Sequence, residues 1–112
     1  MATEEVGNYL RVHRLRYGLS QRDVGILVGY GYGVAVGRHE RSSAAPSLLV
    51  ALAYEVLYDV PVAQLFPGFR SVVAQSVGRN LQELREDFKS KRSDSRKSNF
   101  EKKQWLAKQQ IG

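Results

Sequence analysis

Gly18-Leu19-Ser20-Gln21-Arg22-Asp23-Val24 and Arg38-His39-Glu40-Arg41 hold the side chains of this chain best suited to recognition chemistry. Glutamine and arginine make paired hydrogen bonds to base edges and to phosphates, which is binding rather than bond making. Ser20 with Asp23 three residues on fits a capping box, so a helix is predicted to open there. Gly29 ends it, and a second helix ends near Glu40. Two short helices joined by a turn are the pattern of a helix-turn-helix, which lays one helix in the DNA major groove.

No catalytic constellation competes with this. Ser20 and Asp23 read as a cap rather than a nucleophile and its base. His13 and His39 are the only histidines and cysteine is absent, which excludes disulfides and thiolate metal sites and points to no zinc. His39 is expected to be a satisfied surface histidine. Gly29, Gly31 and Gly33 are followed by no Gly-Lys-Ser/Thr and preceded by no apolar strand, so they form no nucleotide loop. Glu83, Glu86 and Asp87 share a helix face with Arg79 and Lys91 beside them, a solvated charged face. No enzyme, cofactor, metal or small-molecule ligand is expected.

The net charge of +6 over 112 residues is unevenly placed. Arg11, Arg14, Arg16, Arg22, Arg38 and Arg41 balance Glu4, Glu5, Asp23, Glu40, Glu55 and Asp59 within residues 1–69. Arg70, Arg79 and Arg85 balance Glu83, Glu86 and Asp87. The excess lies in residues 89–112, where eight Lys and Arg stand against Asp94 and Glu101. A basic end on a neutral domain suggests nucleic acid, since each phosphate neutralised releases counterions. A solubilising, disordered end is the other reading. No signal peptide or membrane span is visible, and the lack of cysteine suits a reducing cytosol. A cytoplasmic protein is expected.

The elements that must position these residues follow from periodicity. Val6, Leu10, Val12, Leu15 and Leu19 predict a first helix over 5–17. The second runs to about Val28, burying Val24 and Leu27 with Gly25 at a close helix contact. The third covers 34–42. Pro46 is placed in the first turn of a fourth helix that turns Leu48, Leu49, Leu52, Ala53, Val56 and Leu57 inward, with Tyr54 and Tyr58 packing partly. Pro61 opens a short fifth helix carrying Leu65 and Phe66, and Pro67-Gly68 closes it. Val73, Val77, Leu81, Leu84 and Phe88 then form a narrow apolar stripe on a longer helix, supported by the pairs Arg79/Glu83 and Asp87/Lys91. From Ser90 to Asn99 there is nothing to bury, and Trp105, Leu106 and Ile111 make a small apolar island. The expected organisation is an all-α domain over 1–69, an amphipathic helix over 70–92 that either pairs two copies or folds back onto the domain, and a basic, flexible tail over 93–112.

Leu10, Arg14, Gly18-Leu19-Ser20-Gln21, Val24, Gly29, Val36, Arg38, Glu40-Arg41, Pro46-Ser47, Leu52-Ala53 and Leu65-Phe66 together resemble the Xre/Cro-type, lambda-repressor-like helix-turn-helix DNA-binding family. The resemblance covers about residues 5–69 and implies a five-helix domain. It implies that Gln21 touches the DNA backbone or a base edge, and that Arg14 and Glu40 form a structural salt bridge from the first helix to the third. Residues 31–38 would enter the major groove with Arg38 and Arg41 near bases or phosphate. Arg22, Tyr30, Tyr32 and Gly33 complete the expected DNA-binding set. Family members bind inverted repeats as dimers, with half-sites about one turn (~34 Å) apart.

Two departures from the family pattern stand out. From Gly29 to Glu40 the chain is one residue longer than the commonest spacing, which places the extra length in the turn around Tyr30-Gly31-Tyr32. Within Tyr30-Gly31-Tyr32-Gly33-Val34-Ala35-Val36-Gly37 almost nothing can pair with a base edge. Two glycines inside a helix would cost about 2 kcal/mol relative to alanine. The expected function is a sequence-selective, repressor-like transcriptional regulator that binds double-stranded DNA as a homodimer. The alternative is a protein-interaction module, such as an antitoxin or accessory subunit, that keeps the helix-turn-helix fold.

Overall fold

The computed structural model describes residues 7–90 and 96–110, with side chains for 7–90 and 100–110. Every regular element among them is helical. The chain divides after Arg70 into two compact units.

The first unit holds α1 (Leu10–Arg16), α2 (Gln21–Val28), α3 (Val34–Glu40), α4 (Leu48–Tyr58) and α5 (Val62–Leu65). Side chains decide where these begin. Asn8 Oδ1 accepts the Leu10 amide at 3.0 Å, starting α1 later than expected; residues 5 and 6 lie outside the described residues. Ser20 Oγ accepts the Asp23 amide at 3.0 Å while Asp23 accepts the Ser20 amide at 2.9 Å, completing the capping box of α2. Those bonds from Ser20 hold the Asp23 carboxyl below its ordinary value. Gly29 ends α2 at φ 105°, a left-handed conformation that glycine adopts without penalty. Ser47 caps α4, so Pro46 precedes the cap rather than sitting in the first turn. Glu55 reaches from α4 to accept the Val62 amide at 2.9 Å at the start of α5. Pro67 opens α6 (Pro67–Ser90) instead of closing α5, as its missing N–H allows at a first helical position.

Leu10, Val24, Val36, Tyr54, Tyr58, Leu65 and Phe66 form one core. On α4 the inward face differs from the expected one. Ala51, Tyr54 and Tyr58 are buried, whereas Leu48, Leu49, Leu52 and Val56 are 73%, 79%, 42% and 82% exposed. Nearly every α4 residue is apolar, so hydrophobicity alone gives the helix no direction, and the rings decide it. Tyr54 stacks on Tyr58 at 6.2 Å, meets Phe66 at 6.2 Å and meets His39 edge-on at 5.7 Å. Rings bury more area than leucines and gain from such geometries. Leu27 is likewise exposed; α2 buries Val24 and Gly25 instead. Val12 and Leu15 are also exposed.

The Tyr58 hydroxyl is buried without a hydrogen-bond partner among the described residues, and burial pushes its pKa up to about 12. The Tyr54 hydroxyl instead lies 2.8 Å from His39 Nδ1. Tyr58→Phe is therefore expected to be neutral or to stabilise by up to ~1 kcal/mol, since it removes an unpaired polar group. Tyr54→Phe strands a buried imidazole nitrogen and should cost ~1–3 kcal/mol. Urea unfolding followed by circular dichroism separates the two.

In the second unit α6 is followed by α7 (Arg96–Lys108), a helix where a flexible end was expected. Arg85 Nη2 donates to the Leu106 carbonyl at 2.6 Å and the Gln109 carbonyl at 2.9 Å, satisfying orphan acceptors at the α7 C-terminus. Leu81 and Leu106 are buried, Lys102 lies 5.9 Å from the Phe88 ring centre, and Trp105 is half exposed. Val73 and Val77 of the expected stripe are exposed. Lys91, Asp94 and Ile111 lie outside the described residues. No helix among the described residues is long and apolar enough to cross a membrane.

Candidate nucleic-acid interface

The contact between α2 and α3 is built from glycines. A Cβ on Gly25 would overlap the Tyr32 carbonyl, so the turn before α3 lies directly against the α2 backbone. A Cβ on Gly33 would stand 2.8 Å from the Arg22 amide nitrogen, and one on Gly37 would stand 3.2 Å from Arg41 Nη1 and 3.3 Å from Gln21 Nε2. The glycines thus have a packing cause: they let α3 close on the first turn of α2. Gly33 caps α3 rather than sitting inside it, so only Gly37 carries the helix-interior penalty of ~1 kcal/mol. Residues 29–33 lie outside both helices and form the connection between them.

A buried ion pair locks this arrangement. Glu40 at the end of α3 accepts Arg14 Nε at 2.6 Å and Nη2 at 3.0 Å, with side-chain exposures of 9% for Arg14 and 3% for Glu40. The same carboxylate accepts Gln21 Nε2 at 3.2 Å. Arg14 Nη1 also donates to the Leu19 carbonyl at 3.0 Å. The bond to Glu40, opposed by burial, raises the Arg14 pKa further. Helices α1, α2 and α3 therefore meet at one carboxylate. Asn8, missed in the sequence, ties the end of α3 to the start of α1 by donating to the His39 carbonyl and Ser42 Oγ, both at 2.9 Å.

The expected site residues divide between support and surface. Gln21 is half-buried and held by Glu40; Gly33 is half-buried against α2; Tyr30 is half-buried with its ring 6.0 Å from His39. Arg22, Tyr32, Arg38 and Arg41 are exposed. Val34 is 59% exposed beside them and has no partner in the core. Because Arg14 neutralises Glu40, the remaining charged side chains of α2, α3 and the Arg41 cap are Arg22, Asp23, Arg38 and Arg41. Three arginines against one aspartate make this set modestly cationic, and Val34 and Tyr32 are exposed as well.

His39 is not a surface residue. It is 4% exposed, set between Tyr30 and Tyr54, and burial lowers its pKa from the ordinary 6.5. A depressed folded-state value means the unfolded chain binds the proton more readily. The stabilising contribution is complete above pH 6.5 and is lost as pH falls below that value toward the folded one. His39→Gln should flatten this limb of a stability profile measured between pH 7.5 and pH 5 by urea unfolding.

Among the described residues no group of histidine, cysteine, aspartate and glutamate is placed to hold a metal ion. No protein-family model, curated protein or solved structure matches the chain.

Proposed function

We propose that residues 1–69 form a lambda-repressor-like helix-turn-helix domain that binds double-stranded DNA with sequence selectivity, and that two copies act together as a repressor-like transcriptional regulator. The observation carrying this reading is the contact at Gly37, which lets Gln21 and Arg41 converge while Val34 and Arg38 stay on the open side of α3. A helix held this rigidly, with its cations outward, suits insertion into the major groove. Arg38 is the side chain with the reach and donor geometry for a base edge. Arg22 and Arg41 would bear on phosphate, and Val34 suits a thymine methyl. With one strong base reader per copy, selectivity depends on pairing two half-sites and on DNA shape.

Arg38→Ala is expected to weaken binding to the preferred duplex by ~1–3 kcal/mol while leaving binding to an unrelated duplex nearly unchanged. Fluorescence anisotropy at fixed salt measures both. Equal weakening on the two duplexes would make Arg38 a phosphate contact and remove base reading from α3.

A further inference from the structure

Leu48, Leu49, Leu52 and Val56 lie on one side of α4 and belong to neither the core nor the proposed DNA surface. We propose that this face is where two copies of the chain join, α4 against α4 about a twofold axis. The proposal deepens the dimer in the functional reading by giving it a place, in the first unit rather than on α6.

Size, charge and spacing point to a second copy as the occupant. The four side chains, 73%, 79%, 42% and 82% exposed, present on the order of 500 Å² of apolar surface, the size of the largest patch on a soluble chain, which is often a functional one. Paired with itself the patch buries roughly 1,000 Å², the lower bound for a specific interface. The only charged residue of α4 is Glu55, half-buried and occupied by the Val62 amide at 2.9 Å. The face therefore offers no counter-charge to an acidic or basic partner, and pairing with its own copy strands no charge. Leu49, Leu52 and Val56 fall at heptad-like spacing, which lets aliphatic side chains of two helices interdigitate. Ser47 caps the start of α4 and Asp59 ends it in a left-handed conformation, which sets the extent of the face before pairing.

The test is the mass of the full chain in solution by sedimentation equilibrium, without DNA, from 1 to 100 μM. The wild-type chain should approach twice 12.6 kDa. Leu49→Glu and Val56→Lys should each be monomeric across this range, with helical circular dichroism retained because both positions are exposed in the single chain and with a melting temperature that no longer rises with concentration. Val73→Lys, on the exposed part of α6, should remain dimeric. A monomeric wild-type chain, dimeric α4 variants, or a monomeric Val73→Lys would each overturn the proposal. Binding of the same proteins to a single half-site duplex reads the DNA function separately. A chain that dimerises through α4 yet ignores DNA would contradict the functional reading alone.

Discussion

Glu40→Ala is expected to destabilise the first unit by ~3–5 kcal/mol, measured as a lower urea midpoint at unchanged slope. Removing the carboxylate leaves the Arg14 guanidinium buried and uncompensated, which costs more than the pair contributes when intact. It also frees Gln21, since the same carboxylate holds Nε2 at 3.2 Å. At the lower end of the ~5–15 kcal/mol typical of a small domain, such a loss leaves a substantial unfolded fraction near 37 °C. Glu40→Gln should fall between the two, because an amide oxygen still accepts from Arg14 but carries no charge. A loss below ~1 kcal/mol for Glu40→Ala would mean that the pair behaves as a screened surface contact.

Gly25→Ala should be nearly as severe, at ~3 kcal/mol or more, although alanine is the better helix former. The added methyl would overlap the Tyr32 carbonyl, so the backbone leading into α3 has to move. A clash with backbone cannot be relieved by a rotamer change. The displacement carries Gly33 off the first turn of α2, and any DNA contact through α3 should be lost even where the chain still folds. Ile26→Ala, one residue on and half exposed, is the matched control and should cost far less. Comparable unfolding midpoints for the two variants would contradict a tight α2–α3 contact.

What was legible in the chain depended on whether one force dominated. Ser20, Asp23 and Gly29 marked both ends of α2 correctly because capping and the left-handed turn are local properties. The direction of α4 was not legible. Its apolar residues surround the helix, and the choice of inward face came from ring contacts among His39, Tyr54, Tyr58 and Phe66, which are distant in sequence. Pro67 was ambiguous for a different reason: proline ends one helix and begins the next equally well.

Gly33 and Gly37 were visible as oddities, and their cost to a helix was itself the signal of a close contact. What they touch, the Gln21–Arg22 turn and the Arg41 guanidinium, required the structure. His39 looked like surface chemistry because a polar residue between charged neighbours usually is. The Tyr54 hydroxyl makes its burial tolerable. Helix α7 was hidden by its charge, since Leu106 and the bonds from Arg85 to two carbonyls are the visible anchors of a segment otherwise rich in lysine.

Selection of bound duplexes from a random-sequence pool by the full chain at physiological salt tests the DNA reading most directly. Enrichment of an inverted repeat, with half-site centres about one helical turn (~34 Å) apart, is the expected result. It should weaken with Arg38→Ala. Retention of duplexes without enrichment, or no retention at all, would contradict a base-reading role for α3.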